Sequence, residues 1–184
     1  MQKSARALIA LALLASLVSF LKFNHCTSTN WATPDQYIHA CYSDIPALYG
    51  ERGLNKGDWA YSNGDSSVEY PVITGTIMWA LAKETPKNES ALQNYYYLNV
   101  ALLALLFILI ALVVAKIRPE FAYLTPLAPA AIASLYINWD LWAIISMLGA
   151  IYWFDRKKLD ISALALGLSI STKFMPIFLL LPIL

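Results

Sequence analysis

Residues 95–115 read YYYLNVALLALLFILIALVVA and contain no charged side chain. An α-helix rises about 1.5 Å per residue, so this stretch would be about 30 Å long, which matches the hydrocarbon core of a bilayer. Three tyrosines open the stretch, and amphipathic aromatic rings favour the boundary between lipid and water. The sequence therefore predicts a membrane-spanning helix here, and an all-α membrane protein as the fold class.

Further apolar runs lie on both sides of this helix. The run from 121 to 154 would be about 50 Å long as one helix, too long for a single crossing, and the polar turn Asn138-Trp139-Asp140 divides it. The sequence thus predicts a multi-span helical bundle. Its predicted spans are residues 7–23, 95–115, 121–137, 139–154 and 161–184.

The composition supports the same class. The chain is 59% hydrophobic and 14% charged, with a mean hydropathy of +0.54, whereas soluble domains carry about 25% charged residues. The formal net charge is only +1, so there is no basic surface of the kind that binds nucleic acid. We expect the lipid bilayer as a partner and no nucleic acid.

Basic residues near the predicted spans give the orientation. An N-terminus in the cytoplasm places every basic residue of the short loops inside, as membrane proteins prefer. The chain is then a multi-pass protein of the cell membrane, and the loop 24–93 and Asp140 lie outside. The basic residues concerned are Lys3, Arg6, Lys116, Arg118, Arg156, Lys157 and Lys158.

The loop 24–93 is polar apart from one apolar segment, residues 71–82. As a helix this segment would be about 18 Å long, too short to cross a bilayer. It is better explained as a helix that lies in the membrane interface. The prediction is therefore a large first extracytoplasmic loop carrying short interfacial helices.

The same loop holds both cysteines and both histidines of the chain. Cys26 and Cys41 match no metal-binding spacing, and the sequence leaves open whether they form a disulfide or remain two thiols. His25 and His39 are far apart along the loop, so we expect separate surface residues. No metal site is predicted.

The first candidate site residue is Asp44. Ser43 or Asp44 lies just before Pro46, which is an ordinary start for a helix, so one of them can act as the N-cap. A carboxylate in this position can also face a substrate. The two roles do not exclude each other.

Two further candidates flank predicted helices. Glu69 and Tyr70 stand before Pro71, where a carboxylate beside an aromatic ring suits sugar binding but also suits a helix start. Asn138 and Asp140 flank a tryptophan at the predicted membrane boundary. They can bind substrate or simply anchor a turn.

Lys173 is predicted inside the span 161–184, near the middle of the bilayer. A lysine at that depth costs several kcal/mol unless it is paired or faces a polar cavity, so it is a functional candidate. The alternative is a lysine that reaches the interface because the span begins elsewhere. Pro176 lies three residues further on and can kink the helix.

Four segments resemble landmarks of one family in the same order. They are CYSDIPALYGERGL (41–54), VEYPVITGTIMWALA (68–82), NWDLWAII (138–145) and STKFMPIFLLLPIL (171–184). In these segments the chain resembles the glycosyltransferase 87 group of the GT-C superfamily, which uses polyprenyl-phosphate-mannose. More distantly it is similar to the glycosylphosphatidylinositol mannosyltransferases. Family members are longer, so the resemblance implies that residues 1–184 are the N-terminal part of a single GT-C-like domain.

The resemblance implies a polyprenyl-phosphate sugar donor and a glycolipid or glycan acceptor outside the cytoplasm. It implies that Asp44 is the catalytic base, that Glu69 or Asp140 is a second acidic residue, and that Lys173 contacts the donor phosphate. Acceptor specificity is not implied, because residues 56–67 do not follow the family.

The expected chemistry needs one base and one cation. The base takes the proton of the acceptor hydroxyl, and the lipid phosphate leaves as a stable anion, so neither a metal nor another cofactor is expected. Asp44 is the expected base, with Lys173, Arg52 or Lys56 as the cation. The alternatives are a transporter or permease fragment, with Lys173 and Asp140 lining a solute path, and an inactive truncated membrane protein.

Overall fold

The computed structural model describes residues 2–62, 64 and 67–181. This part of the chain is built from helices and turns and contains no strand. The prediction of an all-helical chain is therefore confirmed. The α-helices are α1 (Gln2–Asn24), α2 (Asp35–Ile38), α3 (Asp44–Glu51), α4 (Val72–Glu84), α5 (Ala91–Ile117), α6 (Leu124–Leu127), α7 (Pro129–Ser134), α8 (Asp140–Asp155) and α9 (Leu159–Thr172).

Two helical segments in the described part of the chain are long and apolar enough to cross a bilayer. They are Ala5–Thr29, which contains most of α1, and Ala91–Ile117, which is α5. They cover the predicted spans 7–23 and 95–115. Helix α9 is apolar but has only 14 residues, and α8 has 16, so their lengths are about 21 and 24 Å.

The relative directions of α1, α5 and α8 follow from the hydrogen bonds between them. At the end of α1, Asn24 Oδ1 accepts a hydrogen bond from Tyr97 Oη near the start of α5, so the two helices are antiparallel. Trp139, just before α8, donates its indole N–H to Asn99 of α5. The starts of α5 and α8 therefore lie together, at the end of the molecule where α1 finishes.

Helices α8 and α9 form an antiparallel pair. Two serine hydroxyls of α9 donate to carbonyl oxygens of α8, Ser162 to Ala150 at 2.8 Å and Ser169 to Ala143 at 2.7 Å. Both serines are buried, and their bonds satisfy polar groups that would otherwise be costly. Because α9 runs back along α8, its C-terminus returns to the end where α5 and α8 begin.

The prediction of a spanning helix at residues 121–137 is wrong. The chain there forms a 3₁₀ turn (Pro119–Phe121) and the short helices α6 and α7, which have four and six residues. Proline disfavours helical backbone in the residue before it, and Ala128, which precedes Pro129, is extended with ψ 116°. The prolines therefore divide this apolar run.

The prediction of a span at residues 161–184 is also wrong. Helix α9 ends at Thr172, Lys173 is extended, and a 3₁₀ helix covers Met175–Leu180, while residues 182–184 lie outside the described part. The ring of Pro176 would clash with the carbonyl of Thr172 in a continuing helix. That carbonyl instead accepts a hydrogen bond from Thr74 Oγ1 at 2.7 Å. The sequence predicts Lys173 inside a spanning helix. In the structure it lies directly after the end of α9.

A disulfide joins Cys26 to Cys41 and resolves the alternative that the sequence left open. It closes a loop that contains α2 and draws the two ends of this segment together. The prediction that His25 and His39 are separate is wrong, because their ring centroids are 4.2 Å apart. Each histidine is a near neighbour of a bridged cysteine, so the crosslink brings the rings into contact.

We expect Cys41→Ser to lower the free energy of unfolding by about 3 kcal/mol, because the closed loop restricts the unfolded chain. Thermal denaturation of the purified protein in detergent measures the loss. The double variant Cys26→Ser/Cys41→Ser should be no less stable than the single variant, since both lack the same bond. Equal midpoints for wild-type protein and Cys41→Ser would contradict this prediction.

Candidate functional site

Asp44 is the first residue of α3. The N-cap of this helix is Ser43, whose backbone is extended and whose Oγ accepts a hydrogen bond from the N–H of Ile45 at 3.2 Å. Ser43 Oγ also donates to the carbonyl of Tyr136, and Asp44 N–H donates to the carbonyl of Ile137, both at 2.7 Å. The cap is therefore Ser43, which leaves the Asp44 carboxylate available for other contacts.

Two tyrosine hydroxyls hold that carboxylate. Tyr42 Oη donates to Oδ1 of Asp44 and Tyr70 Oη donates to Oδ2, each at 2.8 Å. Asp44 itself is half-buried. Each carboxylate oxygen can accept more than one hydrogen bond, so the orientation of the group is fixed while acceptor sites remain for another ligand.

Both tyrosines stay protonated near neutral pH. Burial, followed by the hydrogen bond to Asp44, raises the pKa of Tyr42 to about 12. The same two causes, in the same order, raise the pKa of Tyr70 well above its ordinary value. The neighbouring charge of Asp140 also raises the pKa of Tyr70.

Tyr42 is a site residue that the sequence reasoning missed. Alternate residues of an extended segment point to the same side, and the extended Ser43 therefore places Tyr42 and Asp44 on one face. The spacing Tyr-Ser-Asp before a capped helix is the signal that could have identified it. Tyr70, by contrast, was a candidate from the sequence.

Asp140 and Lys173 form an ion pair with a distance of 2.5 Å between Nζ and Oδ1. The side chains are 37% (Lys173) and 36% (Asp140) exposed, so water screens the pair and its contribution to stability is below about 1 kcal/mol. Asn138 Oδ1 accepts a hydrogen bond from Asp140 N–H at 3.1 Å, which holds the start of α8. The backbone of Asp140 is therefore held in place, but another charged group could replace either member of the ion pair at little cost in free energy.

Trp139 lies between this pair and Tyr70. Its side chain is 1% exposed, and its Nε1–H donates to Oδ1 of Asn99, also 1% exposed, at 2.7 Å. The edge of its ring packs against Tyr70, with centroids 5.8 Å apart. The buried indole thus contacts both α5 and Tyr70 and fixes their positions relative to the start of α8.

Arg52 and Glu69 form a second ion pair, from Nη2 to Oε1. Glu69 is largely exposed, whereas Arg52 is mostly covered. This contact engages the guanidinium and makes Arg52 a support for the segment before Pro71. Lys56, the other cation considered from the sequence, is exposed at the end of the 3₁₀ helix Leu54–Lys56.

Three cavities run along these groups. Asn138 and Asp140 line one of about 330 Å³, and Asp140 and Lys173 share one of about 210 Å³. Lys173 also lines an open cavity of about 460 Å³ with Glu69, Tyr70, Phe174 and Met175. The structure therefore brings together Asp44, Glu69, Tyr70, Asn138, Asp140 and Lys173, with Arg52 bound to Glu69.

Known proteins do not identify this site. No family model, no curated protein and no solved structure matches the chain. The chemistry of the site consists of a carboxylate oriented by two neutral phenols, and of a lysine that shares an open cavity with one of these phenols, Tyr70.

Proposed function

We propose that the chain is a multi-pass membrane glycosyltransferase of the inverting type. It moves a hexose, mannose in the first instance, from a polyprenyl-phosphate donor to a glycolipid or glycan acceptor outside the cytoplasm. The observation that carries the proposal is the carboxylate of Asp44, held by two protonated tyrosines, one of which, Tyr70, lines a cavity together with Lys173 of the Asp140–Lys173 pair.

The proposed reaction is a single displacement. The acceptor hydroxyl attacks the anomeric carbon while Asp44 takes its proton, and the bond from that carbon to the phosphate oxygen breaks. The electron pair leaves with the polyprenyl phosphate. Tyr42 and Tyr70 hold the Asp44 carboxylate in one orientation, which keeps its free lone pairs directed at the acceptor.

Lys173 is the proposed contact for the donor phosphate. It lines the cavity of about 460 Å³, whose wall also contains Phe174 and Met175, so charge and apolar surface stand side by side as a lipid phosphate requires. The phosphate would compete with Asp140 for the ammonium group. Because that ion pair is screened by water, replacing it costs little.

The ends of the helices support the proposed orientation. Asp44 and Asp140 lie at the end of the molecule where α5 and α8 begin, whereas Arg118 and Arg156 follow the ends of these parallel helices. Basic residues favour the cytoplasmic side. With α1 and α5 as spans, this rule supports the proposal that the candidate site faces the outer side, where lipid-linked sugars would meet it.

The test is a transfer assay with the purified chain in lipid nanodiscs. Radiolabelled polyprenyl-phosphate-mannose and a glycolipid extract are supplied, and GDP-mannose replaces the lipid donor in a parallel reaction. We expect transfer from the lipid donor alone, with release of polyprenyl phosphate and an inverted anomeric configuration by NMR. Transfer with retained configuration, or transport of free solute without transfer, would count against the proposal.

Lys173→Met should raise the KM for the lipid donor about tenfold to a hundredfold, because a hydrogen bond to a charged group contributes about 1.5–3 kcal/mol. The side chain keeps most of its length, so packing around the cavity changes little. The matched control is Lys158→Met, an exposed lysine at the opposite end of the helices. An unchanged KM for Lys173→Met would exclude this lysine as the phosphate contact.

A further inference from the structure

A second cluster of polar side chains lies at the loop closed by the disulfide: Asp35 and His39 belong to the loop, and His25 directly precedes it. Each residue offers a ligand atom, and these atoms all lie within 4.8 Å of one another. They are the two histidines of the whole chain and one carboxylate. Among the described residues, none of the contacts given for this cluster involves Asp44, Tyr42 or Tyr70.

The backbone positions the three residues. Asp35 and His39 are one turn apart in and after α2, where residues four apart are neighbours, and His39 Nδ1 lies 2.8 Å from Asp35 Oδ1. His25 precedes Cys26, and the bond from Cys26 to Cys41 brings it against His39. The arrangement therefore depends on a covalent crosslink, and not only on mobile surface side chains.

A hydrogen bond from Thr29 also orients the carboxylate of Asp35. Thr29 Oγ1 donates to Oδ2 of Asp35 at 2.7 Å, which turns Oδ1 towards His39. A hydrogen bond of this kind to a ligating carboxylate is a regular feature of metal sites, where outer partners fix the ligand geometry. Thr29 would have that role here.

We propose that His25, Asp35 and His39 bind a single Zn²⁺ ion. Two imidazoles and one carboxylate suit zinc, whereas calcium and magnesium prefer oxygen ligands alone. A tetrahedral zinc ion holds its ligand atoms about 3.3 Å apart, so the widest separation needs to close by about 1.5 Å at most, whereas the 2.8 Å between His39 Nδ1 and Asp35 Oδ1 needs to open by about 0.5 Å. The fourth position is open to water, since both histidines lie on the surface.

The site is independent of sugar transfer and is tested by metal binding alone. The protein is purified in detergent without a polyhistidine tag and without reductant, so that the disulfide remains intact, and is then treated with EDTA and desalted. Calorimetric titration with ZnCl₂ should give one zinc per chain. Titration with Co²⁺ should produce the visible absorption of a tetrahedral ion, and Ca²⁺ should give no signal.

Variants separate a site from general surface binding. His39→Ala and Asp35→Asn should each weaken zinc binding more than about 100-fold, and Thr29→Val should weaken it about tenfold or more. The matched control Glu84→Gln, an exposed carboxylate of α4, should bind as wild type does. An absence of saturable zinc binding, or equal zinc affinity in wild type and His39→Ala, would overturn the proposal. The cluster would then be only an ion pair between His39 and Asp35.

Discussion

Asp44→Asn should lower the rate of sugar transfer by about 100-fold to 10,000-fold, the range that a positioned general base contributes. Asparagine has the same size as aspartate, but its amide cannot take a proton from the acceptor hydroxyl at neutral pH. The hydroxyls of Tyr42 and Tyr70 can still hydrogen-bond to the amide. The loss should therefore appear in kcat, with the fold intact.

The control for this variant is Asp160→Asn. Asp160 is an exposed carboxylate in the first turn of α9, at the end of the molecule opposite to Asp44. Both variants should show the thermal midpoint of the wild-type protein in detergent, and only Asp44→Asn should lose transfer of mannose from the lipid donor. Wild-type kcat in Asp44→Asn would exclude Asp44 as the base.

Trp139→Ala should lower the free energy of unfolding by about 3–5 kcal/mol, the cost of removing a large ring from a packed interior. The indole is 1% exposed, and its loss also leaves the Oδ1 of Asn99 without its donor. Because the ring packs against Tyr70, we expect sugar transfer to fall as well. Thermal denaturation in detergent and the transfer assay measure the two effects.

Two further substitutions separate packing from hydrogen bonding. Trp139→Phe keeps most of the ring but removes the indole N–H, so it should cost about 1–3 kcal/mol, the penalty for an unsatisfied buried acceptor. Trp59→Ala is the matched control, because this tryptophan is 39% exposed. If Trp139→Ala were no more destabilising than Trp59→Ala, the indole would not be the element that holds the site together.

The site around Asp44 lies where the polar loop meets the helix ends. Tyr42 and Tyr70 belong to the loop, whereas Asp140 and Lys173 stand at the start of α8 and just beyond α9. Ion pairs at such a boundary are screened by water, so a ligand can displace them. The buried indole of Trp139 gives the rigidity that these exposed pairs do not provide.

The sequence by itself determined the helical character of the chain, the two long apolar helices and the short helix predicted at residues 71–82, which the structure has at Val72–Glu84. These features follow from local properties, namely runs of apolar residues and their length. The ends of helices were predicted less well. The predicted spans 121–137 and 161–184 do not form because Pro129 and Pro176 interrupt the helix there.

The tertiary structure alone decided which polar groups meet. Tyr70 reaches Asp44 across 26 residues of sequence, Lys173 reaches Asp140 across 33, and the disulfide places His25 against His39. Such pairings depend on how helix ends pack together, and hydrophobic periodicity contains no information about that. Each is one hydrogen bond or ion pair worth little by itself, and the buried core sets its position.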